Sequence, residues 1–301
     1  MSKLAHFSGH KGSIFSLAKG LRNHTFFSGA DDGYVVEWNI ESKGDGKLLV
    51  QLNKPIYTIL VDETKQEILC GSASGNLHII NLEQRKEIRN IEAHKLGIFD
   101  IKKIGENFVT SGGDGNICVW DIDFNLTKTI KASAKSARII AVNSSEKEMA
   151  VGFSDFYIRV YNTTTWEMVF NFLAHTNSVF ALTYNPTDTI LYSGGRDVML
   201  KSWDIQQAFL EKFTIAAHNL HINAIAFSPS GELFASVSMD KTIKIWDATT
   251  NELLKVIDKP RNDGHTTSVN KIVWLSKNEF VTCSDDKTIM MWQIEMNLPA
   301  I

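Results

Sequence analysis

The segment "SGGDGNICVWD", residues 111–121, combines glycines, an Asp-Gly turn signal and an apolar run that ends in Trp-Asp. Glycine-rich segments occur in phosphate-binding loops, and Asp-Gly-Asn occurs in calcium-binding loops. Close variants recur, however, as "SGADDGYVVEWN" at 28–39, "SGGRDVMLKSWD" at 193–204, "SVSMDKTIKIWD" at 236–247 and "CSDDKTIMMWQ" at 283–293. Recurrence at a steady interval indicates a repeated structural unit rather than a single site.

The repeat has seven copies, two of which are degenerate. Five copies end in Trp, and two of the intervals between them are about twice the usual length. These intervals contain "CGSASGNLHIIN" at 70–81 and "VGFSDFYIRVYN" at 151–162, which place Ile80 and Tyr161 where the Trp belongs. Apolar, β-branched segments such as "TIKIWD" (242–247) and turn signals such as "SPSGE" (228–232) predict strands. Four short strands in a unit of about 40 residues are typical of a β-propeller blade.

The pattern resembles the WD40-repeat family over essentially the whole chain. In five copies a His opens the unit, a Ser or Thr lies ten residues before the Trp, and an Asp lies six before it. The sets are His10, Ser28, Asp32 and Trp38; His94, Thr110, Asp114 and Trp120; His175, Ser193, Asp197 and Trp203; His218, Ser236, Asp240 and Trp246; and His265, Thr282, Asp286 and Trp292. The resemblance implies an all-β fold, a seven-bladed β-propeller of four-stranded antiparallel sheets, with residues 1–301 forming one domain.

Each set is expected to form a structural hydrogen-bond group inside its blade. The indole N–H of Trp120 needs an acceptor on the Ser/Thr side, and the carboxylate of Asp114 needs donors. The degenerate copies lack most of these residues, so we expect apolar packing to hold those two blades together instead. The resemblance also implies that the N-terminal strand completes the last blade, with residues 4–7 pairing with residues 289–294.

Composition argues against several classes of function. Lys and Arg total 31 against 34 Asp and Glu, a net charge of −3, whereas a nucleic-acid-binding protein usually carries a basic excess. No apolar run is long enough to span a membrane, and the first residues lack the apolar core of a signal peptide. The three cysteines are odd in number and widely spaced, which predicts neither a disulfide framework nor a zinc site. We therefore expect a cytoplasmic monomer without a cofactor or metal.

Catalytic and metal-binding interpretations of the repeated residues are weaker than the structural one. A hydrolase triad uses His, Ser and Asp, but an enzyme does not need five copies of it at fixed spacing. The pairs Asp31–Asp32 and Asp285–Asp286 lack the regular series of oxygen ligands of a calcium loop, so they are interpreted as turns. His24, His78 and His221 lie outside the sets and are expected at the surface. Asp62 is expected on an exposed turn.

The positions five residues after the opening His, and the equivalent positions of the two degenerate copies counted back from the second strand, are the candidates for binding a partner. The resemblance implies that they open onto the narrow "top" face of the propeller, where partners often bind, as does the residue before each turn Asp. The candidate binding residues are Phe15, Tyr57, Phe99, Arg138, Phe180, Arg196, His221, Asn223 and Asn270. Aromatic and Arg side chains commonly anchor interfaces. Burial of the aromatic residues between blades is the competing interpretation.

These observations predict a non-catalytic scaffold that binds another protein or a peptide on its top face. The alternative is a propeller enzyme of hydrolase or lactonase type, with its site at the mouth of the central channel. Such an enzyme needs clustered acids, metal ligands or a set of Arg residues facing one pocket.

Overall fold

The computed structural model of the chain describes residues 2–22, 24–42 and 45–295. The predicted domain also includes residues 1, 23, 43–44 and 296–301, which lie outside the described residues. The strands are β1 Ser2–Ser8, β2 Ile14–Lys19, β3 Thr25–Ala30, β4 Tyr34–Asn39, β5 Gly46–Gln51, β6 Ile56–Asp62, β7 Glu67–Ser72, β8 Asn76–Asn81, β9 Lys86–Glu92, β10 Ile98–Ile104, β11 Asn107–Gly112, β12 Asn116–Trp120, β13 Leu126–Lys131 and β14 Ala137–Val142. They continue as β15 Glu148–Phe153, β16 Tyr157–Asn162, β17 Met168–Leu173, β18 Val179–Tyr184, β19 Ile190–Gly195, β20 Met199–Asp204, β21 Leu210–Ala216, β22 Ile222–Phe227, β23 Leu233–Ser238, β24 Ile243–Asp247, β25 Leu253–Ile257, β26 Val269–Trp274, β27 Glu279–Ser284 and β28 Thr288–Gln293.

The described strands form seven four-stranded antiparallel sheets, and each sheet is one blade. Blades one to six are the consecutive groups β2–β5, β6–β9, β10–β13, β14–β17, β18–β21 and β22–β25. The first strand of each blade contacts the first strand of the next, and β26 contacts β2, so the sheets close into a ring. The prediction of a seven-bladed β-propeller is confirmed.

The seventh blade joins the two ends of the described chain. Its order is β26, β27, β28 and then β1, so the N-terminal strand is its outer strand. Ala5 pairs with Met291 and Phe7 pairs with Ile289, within the predicted segments. The ring of Phe7 is fully buried against Phe26 of blade one. The strand therefore closes the ring by packing as well as by hydrogen bonds.

The core lies between the blades. The buried apolar side chains of the described residues group into clusters that each join two successive blades, such as Phe27 and Val35 of blade one with Ile59 and Ile68 of blade two. A single blade leaves an apolar face uncovered, so the ring is stable only when neighbouring blades stack.

Helix is nearly absent from the described residues. The short helix α1, Lys259–Asn262, lies in the segment between β25 and the last blade. The Asp258 side chain accepts a hydrogen bond from the backbone N–H of Arg261 and caps this helix. Over the described ranges, no helix has the length and apolar character required to cross a bilayer.

Two sequence predictions about individual side chains are wrong. Asp62 is 1% exposed rather than on an exposed turn, because it ends β6 and accepts a 2.7 Å hydrogen bond from the Lys103 ammonium of the next blade. His78 is 6% exposed rather than at the surface, because it lies within β8 between Ser72 and Glu87. Both side chains belong to polar contacts that the repeat pattern does not encode.

Candidate functional site

Each inner strand contains a β-bulge near its first residue. The pairing of β2 with β3 passes from Ile14 directly to Ser16, and the same shift occurs at the start of the inner strand of every other blade. The residues that lie at these shifts are Phe15, Tyr57, Phe99, Arg138, Phe180, Asn223 and Asn270. We call them the rim residues and call the side on which the inner strands begin the top face. A bulge bends its strand and redirects a side chain, which brings these residues to the channel mouth.

Three aromatic rim residues of blades one to three form a continuous row. The rings of Phe15 and Tyr57 meet edge to face at 5.5 Å between centroids. The rings of Tyr57 and Phe99 are stacked at 5.7 Å. All three side chains are partly exposed, so they are neither closed core nor fully solvated. Packing against one another holds the row rigid.

Arg138 of blade four continues the row. Its guanidinium carbon lies 4.3 Å from the ring centre of Phe99 and 5.4 Å from that of Phe180. Its Nε donates a 2.8 Å hydrogen bond to Ser154 Oγ, which fixes the plane of the guanidinium. Burial lowers the pKa of Arg138 below its ordinary value, and the charge of Arg196 lowers it further, while Tyr57 acts in the opposite direction.

The remaining sector of the rim is polar. The amide of Asn223 donates to Ser268 Oγ at 3.0 Å and to the Val269 carbonyl at 2.8 Å. The amide of Asn270 donates to the Asp285 carboxylate at 2.7 Å. His221 stands between the two sectors, because its ring meets that of Phe180 edge to face at 5.3 Å. The two halves of the rim therefore differ in chemistry.

The rim residues surround a cavity of about 270 Å³ at the channel mouth. His221 completes its wall, and Ile139 and Lys271 also line it. The structure thus brings eight of the nine candidate binding residues to one cavity. Arg196, the ninth, is exposed near it and influences the pKa of both Arg138 and His221.

The four residues of each repeated set meet in one hydrogen-bonded chain. In blade five the indole Nε1–H of Trp203 donates to Ser193 Oγ at 2.8 Å. The Ser193 oxygen lies 2.8 Å from His175 Nε2, and His175 Nδ1 lies 2.9 Å from Asp197. The network assigns the ring proton to Nδ1, which donates to the carboxylate, so that Nε2 accepts from the hydroxyl. In the other four sets the Trp Nε1 lies 2.7 to 3.1 Å from the Ser or Thr hydroxyl oxygen. The His Nε2 lies 2.7 to 2.9 Å from the same oxygen, and the His Nδ1 lies 3.0 to 3.1 Å from the nearer Asp oxygen.

The Asp carboxylates of the repeated sets also accept hydrogen bonds from backbone N–H groups. Asp197 accepts the N–H groups of Thr176 and Met199, which ties the loop that opens the blade to the turn beside it. Burial by itself raises the pKa of Asp197, but the hydrogen bonds from His175 and the backbone outweigh it, so the pKa lies below its ordinary value. The same holds for Asp114, Asp240 and Asp286. The His side chains of all five sets have no exposed surface, so they face the blade interior and not the cavity.

The two degenerate blades contain polar networks of their own in addition to the apolar packing that the sequence predicted. In blade four the guanidinium of Arg159 forms a two-point ion pair with Asp155 at 2.8 and 3.1 Å. Ser133 donates to the same carboxylate at 2.6 Å. In blade two His78 links Glu87 and Ser72, at 2.7 and 3.2 Å. Apolar clusters pack against both blades as well.

Potential metal ligands do not converge in the part of the chain that the structure describes. Within residues 2–22, 24–42 and 45–295, no group of three or more His, Cys, Asp or Glu side chains is arranged to hold a metal ion. Cys70, Cys118 and Cys283 are buried free thiols. Burial raises the pKa of Cys118 to about 11, which leaves this thiol protonated and unreactive near neutral pH.

A family model described as "WD domain, G-beta repeat" matches residues 1–39, 85–121, 166–204, 210–247 and 256–293, more than half of the chain. The unmatched segments 40–84 and 122–165 contain the two degenerate repeats. The chain is 26% identical over 297 residues to Protein tipD of Dictyostelium discoideum, covering 95% of the chain and 48% of that protein.

Two further relatives match shorter stretches of the chain. Striatin of Homo sapiens is 21% identical over 243 residues, with 69% of the chain and 30% of that protein covered. A "Guanine nucleotide-binding protein subunit beta-like protein" of Encephalitozoon cuniculi (strain GB-M1) is 27% identical over 112 residues, with 35% of the chain and 33% of that protein covered. The chain spans less than half the length of each of these curated relatives.

Proposed function

The chain belongs to the WD40-repeat family, and on that premise we propose that it is a non-catalytic scaffold that binds another protein or a peptide through its top face. One of its relatives carries the word "subunit" in its name, which fits a fold that works by assembling with other chains. Fold alone does not determine function, so the proposal depends on the chemistry of the channel mouth.

The observation that carries the proposal is the aromatic row beside the cavity. Phe15, Tyr57 and Phe99 are partly exposed, although burying an aromatic side chain is favourable by about 25 cal/mol for each Å² of apolar surface. Their mutual stacking fixes their rotamers before a partner arrives, so little side-chain entropy is lost on binding. Rigid, half-exposed aromatic groups are typical anchors of an interface.

The polar sector of the rim fits a bound peptide backbone. Asn223 and Asn270 use both N–H groups of their amides within the protein, since the Asn270 amide also donates to the Ile14 carbonyl at 2.9 Å, so each offers a peptide N–H its amide oxygen as an acceptor. Their contacts with Ser268, Val269 and Asp285 hold these amides in place. A peptide could place an apolar side chain on the aromatic row and form hydrogen bonds with this sector.

The alternative function, a propeller enzyme with its site at the channel mouth, has less support. The cavity is lined by aromatic and amide side chains with Arg138, His221 and Lys271, and no carboxylate is among the described residues that line it. The His and Asp residues that resemble a triad are hydrogen-bonded to each other inside the blades. We therefore propose that these sets serve the fold and that the top face serves binding.

We further propose that the protein acts as a monomer in the cytoplasm. Three buried, unpaired thiols are common in a reducing compartment, where disulfides rarely form. The ring closes on its own N-terminal strand and needs no second copy for this. Size-exclusion chromatography with light scattering tests the monomeric state.

The triple-alanine variant Phe15→Ala/Tyr57→Ala/Phe99→Ala tests the binding face. We expect it to remain folded, because partly exposed side chains contribute less to stability than core side chains. We expect it to lose the partner that the unmodified protein captures from its native cells, because removing an anchor of an interface costs about 2 kcal/mol or more in binding. Capture is measured by mass spectrometry, and folding by circular dichroism and thermal melting.

A matched control removes apolar side chains from a different surface. Leu173, Leu210 and Leu254 lie on the outer strands of blades four, five and six and are 60%, 60% and 53% exposed. The variant Leu173→Ala/Leu210→Ala/Leu254→Ala should keep the partner. Loss of the partner in this control but not in the triple-alanine variant would move the binding surface to the side of the propeller. Unfolding of the triple-alanine variant would mean that the three rings are inter-blade core.

A further inference from the structure

Two positively charged side chains line the cavity at the channel mouth without a carboxylate partner among the described residues. They are Arg138 on its wall and Lys271 beside it. Charged groups that are partly buried are usually paired, because removal of their water is unfavourable. Their position therefore calls for a functional explanation.

Arg138 is held so that only the edge of its guanidinium is available. Phe99 and Phe180 lie against the group at 4.3 and 5.4 Å, and Nε is already bonded to Ser154. The two terminal nitrogens, Nη1 and Nη2, form no hydrogen bond or ion pair with any residue that the structure describes. A guanidinium stacked on aromatic rings presents these donors in a fixed plane, which suits the two oxygens of a carboxylate.

Lys271 lies one residue beyond the bulge of blade seven, on β26. Its side chain lines both the cavity at the mouth and a larger cavity of about 560 Å³ further along the channel. The structure gives its ammonium group no hydrogen bond or ion pair with a described residue. Burial lowers the pKa of Lys271 below its ordinary value, an effect that Asp100 opposes and Lys102 reinforces.

Asp100, the acid whose charge opposes the lowering of the Lys271 pKa, already accepts hydrogen bonds from other groups. One oxygen of Asp100 accepts from the Lys102 ammonium at 3.1 Å and from the backbone N–H of Ile101 at 3.0 Å. The other oxygen accepts from the backbone N–H of Ile140 at 2.9 Å. On the rim itself, the carboxylate of Asp285 accepts from Asn270. Neither acid forms an ion pair with Arg138 or Lys271.

We propose that the cavity at the channel mouth binds the carboxylate side chain of an Asp or Glu within a partner's peptide. Arg138 and Lys271 bind the carboxylate, and a neighbouring apolar side chain of the same peptide packs on Phe15 and Tyr57. This inference rests on the proposed function, because it specifies which peptide the top face binds.

Charge and shape both favour an acidic segment over other peptides. Arg196 adds a third positive charge near the mouth, since its charge affects the pKa of Arg138 and of His221. Positive charges around a narrow, partly dry opening raise the local concentration of anionic groups and speed their association. A cavity of about 270 Å³ has room for a single side chain, while the aromatic row extends outside it across three blades.

Random peptides displayed on phage provide the probe. After selection on the unmodified protein, we expect an Asp or Glu next to an apolar residue in the enriched sequences. The strongest peptide is synthesised together with a version in which Gln or Asn replaces the acid. We expect the neutral version to bind about tenfold or more weakly, measured by fluorescence anisotropy at a fixed salt concentration.

Protein variants show whether the two cations cause this preference. In Lys271→Met and Arg138→Gln the acidic and neutral peptides should bind with similar affinity, because the group that distinguishes them is gone. Lys86→Met makes the same change of charge at an exposed position on the outer strand β9 and should keep the full preference. The acidic peptide and its neutral version are also compared on the unmodified protein. A folding defect of a variant therefore cannot produce a difference between the two peptides in that measurement.

The outcomes separate this inference from the proposed function. Peptides that bind the unmodified protein but not the triple-alanine variant, and that show no preference for an acid, overturn the inference and leave the proposed function standing. Binding that survives in the triple-alanine variant, or a selection that enriches nothing, contradicts both. A peptide that is weakened by amidation of its C-terminus, but not by Gln in place of the acid, binds through its terminal carboxylate and overturns the side-chain assignment.

Discussion

Nδ1 of His175 lies 2.9 Å from Oδ1 of Asp197, and this contact connects the loop that opens blade five to the turn between its second and third strands. Asp197 also accepts from the backbone N–H groups of Thr176 and Met199. The Thr176 hydroxyl donates to it as well, so removing the carboxylate leaves four donors without this acceptor, and the imidazole among them is buried. We therefore expect Asp197→Ala to lower the free energy of unfolding by about 2–3 kcal/mol.

The measurement is urea denaturation of Asp197→Ala beside Asp197→Asn and Asp123→Ala. Asn keeps one acceptor oxygen, so Asp197→Asn should recover part of the loss. Asp123 has a side chain that is 79% exposed, and its replacement should change stability by less than about 0.5 kcal/mol. If Asp197→Ala unfolds at the same urea concentration as Asp123→Ala, the hydrogen-bonded set contributes nothing to the blade.

The second prediction concerns the buried carboxylate that links blades two and three. Asp62 accepts from the Lys103 ammonium and from the backbone N–H of Thr64. Lys103 is partly exposed and regains water when its partner is removed, so we expect Asp62→Ala to cost about 1–3 kcal/mol. Glu106→Ala, in the exposed turn between β10 and β11, is the control and should be close to neutral. Equal unfolding midpoints for the two variants would contradict the prediction.

Ring closure gives the third prediction, which compares two side chains of one strand. Phe7 is fully buried against Phe26 and Trp38, whereas Leu4 is 41% exposed. We expect Phe7→Ala to cost about 3–5 kcal/mol and Leu4→Ala to cost less than about 1 kcal/mol. Deletion of residues 1–8 should also expose the edge of β28 and promote aggregation, measured by light scattering. A truncated protein that stays monodisperse and melts like the full chain would show that β1 is dispensable.

The architecture was predictable because the repeat marks fixed points of every blade. Trp203, Ser193 and Asp197 keep constant spacing because Trp203 donates to Ser193 directly and His175 links Ser193 to Asp197. Counting five residues from each opening His also identified five of the rim positions, and counting back from the second strand identified Tyr57 and Arg138 in the two degenerate blades. Their physical cause, a bulge that redirects each rim side chain to the channel mouth, depends on strand register and is not visible in the residues themselves.

Contacts between residues far apart in the chain were not predictable from the pattern. Asp62 is followed by the polar run "ETKQ" at 63–66 and therefore resembles part of a turn, yet Lys103 reaches it from the next blade. In blade four the Arg159 guanidinium bonds the carboxylate that a His bonds in the five repeated sets, because its position four residues after Asp155 allows a two-point ion pair. In blade two His78 bonds Glu87 and Ser72 from the third strand, β8. The third strands of the other blades contain no His.

The fourth prediction is a loss of stability on acidification, which begins with three histidines. Burial lowers the pKa of His10, His218 and His221 below the ordinary value of 6.5, and Asp32, Asp240 and Asp285 respectively oppose this effect only in part. Below this value the unfolded chain binds protons that the folded chain does not bind, so stability falls as the pH falls.

The Asp carboxylates of the repeated sets extend the loss of folding stability to lower pH. Asp114, Asp197, Asp240 and Asp286 have a lowered pKa in the folded state, so their contribution is present above the ordinary value of 3.8 and is lost as the pH falls below it. Urea midpoints should therefore decrease steadily between about pH 7 and pH 5, and more steeply near pH 3 and below.

Ring-proton titrations by nuclear magnetic resonance test the cause directly. In the folded protein, His10, His218 and His221 should titrate at a lower pH than the histidines of the same chain unfolded in urea. The variant His221→Asn lies outside the repeated sets, so it should fold normally and flatten the decrease above pH 5 by the share of one histidine. A stability that rises on acidification through this range would mean that these histidines are stabilised in their charged form, and the acceptor role assigned to Nε2 within the repeated sets would then be wrong.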